Sequence, residues 1–335
     1  MRTTATLIVG PSWVGDMVMA QSLFKVLKDR QPERPLDVLA PEWSLPIVAR
    51  MPEIRAGVAS ETAHGEIGLA TRRSIAAGLR GRYDRAIVMP RSFKAALIPW
   101  FAGIPVRTGF RGETRFVLIN DLRPFDRQVL DQTVKRFVAL GLDTGEALPV
   151  EMPDPSLQIS TDNQARSLAA LGLDLGRPVV AMMPGAEYGP AKCWPLEYFT
   201  ELASRLDAAG YAVWVLGSHK DAGAGEQIAA GSRALNLCGR TSLEDVIDLL
   251  AACEQAVSND SGLMHIAAAV GIRVHGIYGS SSPKFTPPLT KSREIHEIDL
   301  ECRPCFEREC PLGHLRCLKD LSVERIFEKI IEFRV

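Results

Sequence analysis

One stretch decides the fold of this chain: Val257-Ser-Asn-Asp-Ser-Gly-Leu-Met-His265-Ile-Ala-Ala-Ala-Val270-Gly271. It follows an apolar run that ends at Val257 and precedes a second run from Ile272 to Tyr278. The pattern predicts a strand, a tight polar turn, a short alanine-rich helix and another strand. This order is half of a parallel α/β unit, so the chain is expected to belong to the α/β class.

The polar turn of this stretch carries residue types that suit an anionic, hydroxyl-rich ligand. Asp260 and Ser261 are favourable helix N-caps, and Gly262 lets a ligand approach the backbone closely. The first N–H groups of a helix lack intrahelical partners and favour phosphate or hydroxyl oxygens, to which His265 could also donate. Two interpretations stay open at this point: a phosphate and sugar loop, or a simple helix cap beside a packed histidine.

Length and composition bound the class of protein. A chain of 335 residues is expected to form two domains, each large enough for its own core. Its 46% hydrophobic and 24% charged residues are typical of a soluble globular enzyme or binding protein. We find no signal peptide pattern and no apolar stretch of about 18 residues, which argues against a membrane span. The seven cysteines are therefore expected to be reduced thiols in the cytosol.

The charge is unevenly distributed although the net charge is only −1. Residues 1–150 hold 21 Lys and Arg against 15 Asp and Glu, whereas the remaining residues hold 18 against 25. The excess is steepest from Arg72 to Arg136, with 14 basic and 5 acidic residues. A basic first half indicates an anionic partner or an anionic membrane surface, and the alternative is a scattered, solvated arginine surface.

The first half of the chain predicts one doubly wound α/β domain, residues 1–153. Thr6 to Gly10 forms a short buried strand, and Pro11 to Lys28 forms a turn and an amphipathic helix. Asp16 lies where the strand passes into the helix, at the edge where parallel sheets bind ligands. Its carboxylate could cap the helix or act as a base. Further strand and helix patterns follow, with an exposed segment expected at 61–66.

The second half predicts another such domain, residues 154–335, after a hinge at Glu151 to Pro155. Two α/β halves facing one another make a cleft. Three further loops follow predicted strands of this half and could converge on the ligand of the turn at Asp260. They run from Met183 to Pro195, from Leu216 to Asp221 and from Cys238 to Ser242. In the first of them Gly185 exposes backbone donors, and Lys192 would neutralise a diphosphate.

Taken together, these motifs resemble glycosyltransferase family 9, the ADP-heptose:lipopolysaccharide heptosyltransferases. The resemblance covers essentially the whole chain and depends on Gly15-Asp16, Pro184-Gly185 through Lys192-Cys-Trp-Pro195, and Asp260 through His265. The tail from Cys302 to Cys317 resembles the branch that adds the second heptose. The resemblance implies a GT-B fold, in which two Rossmann-like domains face each other across a cleft, with the acceptor on the first and the ADP-sugar on the second. The last helix, Ser322 to Phe333, is expected to pack on a domain face or cross back to the first domain.

The resemblance also implies roles for individual residues. Asp16 matches the proposed general base and Lys192 the lysine that contacts the diphosphate, so these two are the expected catalytic residues. The remaining donor contacts are expected from residues on the four loops: Gly185, Glu187, Tyr188, Gly217, Asp221, Thr241, Asp260, Ser261, Gly262 and His265. Inversion by a single displacement needs a base on the acceptor hydroxyl and charge stabilisation of the departing diphosphate, and the domains must close to bring them together.

The implied substrates are ADP-L-glycero-D-manno-heptose and the heptosylated inner core of lipopolysaccharide. The basic residues Arg91, Lys94, Arg111 and Arg115 are expected to hold the anionic groups of this acceptor. The expected location is cytoplasmic, in peripheral contact with the inner membrane, and neither a covalently bound cofactor nor a nucleic-acid partner is expected. Alternatives are transfer of a different core heptose, or a non-catalytic protein that binds a nucleotide sugar. A dinucleotide-dependent oxidoreductase is disfavoured because the first turn lacks the full glycine fingerprint.

The cysteine cluster near the end of the chain has two interpretations. Cys302, Cys305, Cys310 and Cys317 follow a C-x2-C-x4-C-x6-C spacing with His314 inside it. These are ligand types that suit a structural zinc ion, but the spacing is not that of paired zinc knuckles. The alternative is a set of reduced thiols that pack an irregular loop.

Overall fold

The computed structural model describes residues 5–60 and 67–333. The segment 61–66, expected to be exposed, lies outside the described residues. The chain divides into two compact units, Met1–Pro155 and Ser156–Val335. Each unit contains one six-stranded parallel sheet, so the prediction of two doubly wound α/β domains is confirmed.

The first unit alternates strands and helices. Its strands are β1 (Thr6–Val9), β2 (Leu36–Ala40), β3 (Ala56–Ala59), β4 (Arg85–Val88), β5 (Val106–Phe110) and β6 (Asp121–Arg123). Its helices are α1 (Val14–Arg30), α2 (Leu45–Val48), α3 (Leu69–Leu79), α4 (Leu97–Phe101) and α5 (Thr133–Ala139). The central strands β1 and β2 are fully buried and mostly apolar, as expected for parallel strands covered on both faces by helices.

The strand order of the first sheet places its ligand-binding edge. The order is β3-β2-β1-β4-β5-β6, so the chain moves outward from β1 in one direction and then returns to start again at β4. Ligands bind at such a switch point, outside the carboxyl ends of the strands. The ends of β1 and β4 therefore mark the expected site of this unit, with Asp16 in the first turn of the helix after β1 and Arg91 in the loop after β4.

The second unit repeats this design. Its strands are β7 (Val179–Met183), β8 (Ala212–Val215), β9 (Leu235–Asn236), β10 (Gln255–Asn259), β11 (Arg273–Ile277) and β12 (Arg293–His296). Its helices are α6 (Thr161–Leu171), α7 (Leu196–Ala208), α8 (Ala222–Ala230), α9 (Leu243–Ala251), α10 (Gly262–Ala269), α11 (Arg316–Lys319) and α12 (Val323–Glu332). The order β12-β11-β10-β7-β8-β9 puts the switch point between β7 and β10.

The core of the second unit extends to the end of the described chain. Trp194 and Trp214 are among its largest buried side chains. The last helix, α12, packs against α7, with Ile326 and Ile330 fully buried in the same apolar cluster as Phe199. Because α12 covers one side of this core, the second unit is complete only with its C-terminal helix. In residues 5–60 and 67–333 no helix is both long and apolar enough to span a membrane.

Candidate active site

The loop after β1 positions a carboxylate at the switch point of the first unit. Gly10 follows β1, and a Cβ there would lie 2.6 Å from Cε of Met17, so any larger residue would require the end of the Met17 side chain to move. Asp16 lies in the first turn of α1 and is half-buried. The fold therefore fixes this carboxylate on a rigid helix at the ligand edge of its sheet.

The loop after β4 adds cations at the same edge of the first unit. Arg91 is exposed, and its guanidinium lies 4.6 Å from the centroid of the Phe125 ring. Lys94 is half-buried at the start of a short 3-10 helix, Lys94–Ala96. Arg111 is exposed in the loop after β5, with its guanidinium 5.3 Å from the Phe116 ring centroid. These three cations are accessible to an anionic ligand.

Arg115, expected with these cations, takes a different part. Its side chain is buried and donates to the carbonyl oxygens of Pro90 at 2.7 Å, Ser92 at 3.2 Å and Phe110 at 2.7 Å. Burial, together with the neighbouring charge of Arg91, lowers the pKa of this guanidinium to about 10. We therefore correct its role: Arg115 holds the loop that carries Arg91 instead of contacting the acceptor itself.

Two exposed tryptophans beside Asp16 were not expected from the sequence. Trp13 precedes α1, and Trp43 lies in the loop after β2, with half or more of each residue exposed. Trp43 Nε1 donates to the carbonyl oxygen of Ser12 at 3.4 Å, which ties the two loops together. Exposed indole faces beside a carboxylate suit the apolar faces of sugar rings. The signal available in the sequence was a tryptophan after each of two strands.

In the second unit, an ion pair bridges the switch point. Nζ of Lys192, in the loop after β7, lies 2.6 Å from Oδ2 of Asp260, which follows β10. The side chains are only 18% and 4% exposed, so water screens the pair weakly. The sequence argument that placed both residues in loops at one sheet edge is consistent with this contact. Asp260 was expected as a helix cap, whereas here its carboxylate pairs with Lys192.

The helix that follows, α10, begins without a side-chain cap at Ser261 within the described residues. The Ser261 hydroxyl instead lies 3.2 Å from that of Ser258. The first backbone N–H groups of α10, including that of Gly262, are therefore available to an anion at the positive end of the helix dipole.

His265 lies one turn into α10 and is buried. Burial and the charge of Lys192 lower its pKa to about 4, against the opposing effect of Asp260. The imidazole is therefore neutral at pH 7. Its Nδ1 is buried without a hydrogen-bond partner in the described chain. A neutral imidazole with an unused nitrogen beside an ion pair can donate to a phosphate oxygen once a ligand is present.

Asn259, which sequence reasoning did not single out, connects the two loops of the switch point. Its Nδ2 donates to the carbonyl oxygen of Pro184 at 2.6 Å, and its Oδ1 accepts from the backbone N–H of Trp194 at 3.0 Å. Asn259 is fully buried. It therefore fixes the loop that carries Lys192 relative to the start of α10.

The loop after β8 contributes differently from expectation. The Asp221 carboxylate accepts from the backbone N–H and the hydroxyl of Ser218, both at 2.7 Å, in a capping box. Cβ atoms added at Gly185 and Gly217 would lie 2.4 Å and 2.8 Å from Asp221, so the two glycines allow the loops after β7 and β8 to meet. Asp221 therefore shapes this loop, and its predicted donor contact stays a prediction.

The outer part of the loop after β7 carries Glu187 and Tyr188. Glu187 Oε1 lies 2.6 Å from Lys220 Nζ in an exposed ion pair. The Tyr188 hydroxyl donates to the carbonyl oxygen of Phe306 at 2.6 Å, and the cations of Lys192 and Arg308 lie 5.1 Å and 5.3 Å from its ring centroid. Tyr188 therefore organises two cations at the edge of the site.

Three hydroxyl groups at this sheet edge are buried without a hydrogen-bond partner in the described chain. Thr241 follows β9, whereas Ser280 and Ser281 follow β11. Buried polar groups are normally satisfied, so these hydroxyls are candidates for a ligand or water. Thr241 was expected near the adenosine, whereas the two serines were missed. Their signal was the Gly279-Ser-Ser-Ser sequence directly after a strand.

The cysteine-rich tail packs behind the Lys192 loop. Backbone bonds join it to the site: Ala191 N donates to the Arg308 carbonyl at 3.0 Å, and Phe306 N donates to that of Ser280 at 2.8 Å. A small cavity here is lined by the four thiols together with His314. No group of three or more His, Cys, Asp and Glu in residues 5–60 and 67–333 is arranged to hold a metal ion. The four cysteines are free thiols in this structure, and the choice between the two interpretations stays a prediction.

The second unit thus presents a cradle for a diphosphate. It combines one ammonium group, a helix N-terminus without a side-chain cap, a neutral imidazole and three hydroxyls that have no partner among the described residues, all at the ligand edge of a Rossmann-like sheet. Such donors stabilise a negative charge that develops on a leaving diphosphate. The first unit offers a carboxylate on a helix and accessible cations. Taken separately, each set of groups has chemistry that suits one half of a group-transfer reaction.

Comparison with known proteins agrees with this chemistry. A family model described as glycosyltransferase family 9 (heptosyltransferase) matches residues 72–316. The chain is 41% identical over 336 residues to lipopolysaccharide heptosyltransferase 2 of Escherichia coli strain K12, covering 97% of each protein. It is 42% identical to the protein of the same name from Salmonella typhimurium strain LT2, again over 97% of each. The solved structure of E. coli ADP-heptose LPS heptosyltransferase II superposes with a TM-score of 0.88, at 40% identity and 98% coverage of both chains.

Proposed function

Because the chain belongs to glycosyltransferase family 9, we propose that it transfers a heptose from ADP-L-glycero-D-manno-heptose to lipopolysaccharide. The acceptor in this proposal is an inner core that already carries one heptose, so the product carries the second. Support comes from similarity over almost the full length of two proteins named lipopolysaccharide heptosyltransferase 2. The cysteine-rich tail lies within that similarity.

The second unit is proposed to bind the ADP-sugar. Lys192 and the N–H groups at the start of α10 would neutralise the diphosphate, with His265 donating a further hydrogen bond. Thr241, with its buried hydroxyl, is proposed to contact the adenosine. Asp260 would hold Lys192 in position and accept from sugar hydroxyls. As the bond from the sugar to the diphosphate breaks, the added negative charge is stabilised by donors that are already in place.

The first unit is proposed to bind the acceptor and activate it. Asp16 would take the proton from the acceptor hydroxyl as that oxygen attacks the anomeric carbon from the face opposite the diphosphate. Arg91, Lys94 and Arg111 would pair with the anionic groups of the acceptor. Trp13 and Trp43 would present flat apolar surfaces to its sugar rings. Since the acceptor is a lipid, we propose that the chain acts as a peripheral membrane protein at the cytoplasmic face of the inner membrane.

The observation that carries this proposal is the buried ion pair of Lys192 with Asp260 at the switch point of the second sheet. The proposed function is tested by offering the purified protein ADP-heptose with three acceptors: a heptose-free core, a core with one heptose, and a core with two. Transfer only to the core with one heptose is expected. Equal transfer to the heptose-free core would contradict the proposed specificity, whereas ADP-heptose binding without transfer to any acceptor would favour a non-catalytic binding protein.

A further inference from the structure

One outer layer of the first unit exposes apolar side chains although its inner side is well packed. Helices α3 and α4 and the segment 115–119 cover the same face of the sheet, with Leu79, Ile98 and Ile119 in one buried cluster. Four large apolar residues of this layer are exposed, and we call them the apolar patch: Leu69, Trp100, Phe116 and Val117. Val117 is the most exposed of the four, at 76%. Several large apolar residues exposed on one layer mark a candidate interaction surface.

Contacts within the layer join the three elements that carry the patch. The Arg73 guanidinium lies 5.0 Å from the centroid of the Phe101 ring and so joins α3 to α4. Arg107 donates to the carbonyl oxygens of Ile104 at 2.5 Å and Val117 at 3.5 Å, which joins the end of α4 to the segment 115–119. The patch therefore lies on one structural layer in which α3 is joined to α4, and the end of α4 to the segment 115–119.

Basic residues far outnumber acidic ones in the segment that carries the patch. Residues 67–117 hold ten Lys and Arg but only two Asp and Glu. Both acidic side chains are engaged, because Asp84 pairs with Arg34 and Glu113 accepts from the backbone N–H of Phe93 at 2.6 Å. The arginines at 73, 80 and 82 are exposed. An apolar centre that includes a tryptophan, with a cationic rim, is complementary to an anionic lipid surface.

We propose that this layer is a membrane-docking surface, which seats the first unit on an anionic phospholipid bilayer. Trp100, Phe116 and Val117 enter the headgroup region, while the rim of arginines pairs with lipid phosphates. The choice of a lipid partner rests on the proposed function, since the acceptor there is a membrane lipid. Arg111, a proposed acceptor contact, lies against Phe116 of the patch. Docking through the patch therefore presents the acceptor site to headgroups of the same bilayer.

The test is co-sedimentation of the full chain with vesicles of phosphatidylcholine alone, or of phosphatidylcholine with three parts in ten phosphatidylglycerol. The wild type is expected to bind the anionic vesicles and to be released by high salt. W100Q/V117Q should bind at least about tenfold more weakly because it loses most of its apolar contact area. R80Q/R82Q should lose about fivefold per arginine. The matched control is L175Q, which removes a similarly exposed leucine from the second unit and should bind as the wild type does.

Equal binding of wild type and W100Q/V117Q, with thermal unfolding unchanged in both, would overturn the proposal, as would no binding of the wild type to anionic vesicles. The alternative occupant of the patch is a second copy of the chain, which sedimentation velocity detects. A wild-type dimer that W100Q/V117Q abolishes, together with no vesicle binding by the wild type, would also overturn the proposal. Turnover on an acceptor stripped of its acyl chains separates this proposal from the proposed function. W100Q/V117Q should keep that turnover. If the wild type binds vesicles but is inactive on every acceptor, the proposed function is refuted and the docking proposal stands.

Discussion

Lys192→Met gives the sharpest test of the donor cradle, because it removes a cation from a site with little water. The partner carboxylate of Asp260 is 4% exposed and lies 2.6 Å from the lysine ammonium. Breaking such a pair from one side leaves a buried charge unpaired, which costs about 3 kcal/mol of unfolding free energy. The same change removes a charge-assisted bond to the diphosphate, about 1.5–3 kcal/mol, so ADP should bind roughly ten- to 150-fold more weakly.

A double-mutant cycle separates these two effects. Asp260→Asn should weaken ADP binding less than Lys192→Met does, since the cation remains. In Lys192→Met/Asp260→Asn much of the lost stability should return, because no unpaired charge is left buried. Urea unfolding measures the stability, and isothermal titration measures the ADP affinity. The matched control is Lys220→Met, which breaks the exposed Glu187 pair of equal length, 2.6 Å, and should change neither quantity measurably. If Lys192→Met binds ADP within twofold of the wild type, or is as stable as Lys220→Met, the proposed cradle is wrong.

Three further outcomes are expected. For His265, a folded pKa of about 4 lies below the unfolded value of about 6.5, so unfolding takes up a proton between these values. The unfolding free energy should therefore fall as the pH falls through that window, and His265→Asn should reduce this fall by up to about 3 kcal/mol. Urea unfolding at stepped pH measures it, and an unchanged dependence of the unfolding free energy on pH in His265→Asn would contradict the prediction. Gly112→Ala places a Cβ 2.0 Å from the carbonyl oxygen of Arg91, so the acceptor KM should rise while ADP affinity stays. Its control, Gly78→Ala, meets nothing within 4 Å in α3 and should stabilise the chain by about 0.5–1 kcal/mol; equal effects of the two would refute the steric argument. Asn259→Ala removes two buried hydrogen bonds, so it should cost about 2–3 kcal/mol and weaken ADP binding, and a neutral result in calorimetry would show that Asn259 does not hold the loops.

The inner strands of both sheets could be predicted because each is a short segment of mostly buried residues between turn residues. Leu36–Ala40 and Val106–Phe110 have the predicted bounds. Strands β3, β6 and β12 were not predicted, because they lie at or near the sheet edges and are either short or rich in small and charged residues. An edge strand pairs on one side only, so its sequence need not be apolar. Only the tertiary fold determines that such segments join a sheet.

The position of the site was predictable for a related reason, since loops after parallel strands meet at one edge. The choice of partner for each side chain was not. Arg115 and Asp221 have the right chemistry for ligand contacts, but the fold surrounds one with carbonyl groups and uses the other to cap a short helix. Asn259 and Ser280 were overlooked, because their roles depend on loops distant in sequence.

The central claim is that a carboxylate of the first unit acts as the base for transfer from a cradle on the second unit. The most direct measurement of this claim uses Asp16→Asn. Because this substitution removes the base and keeps the size of the side chain, kcat should fall by about 10²- to 10⁴-fold. The affinity for ADP should stay within about twofold of the wild type, since Lys192 and α10 are unchanged. A near-normal kcat in Asp16→Asn would contradict the account.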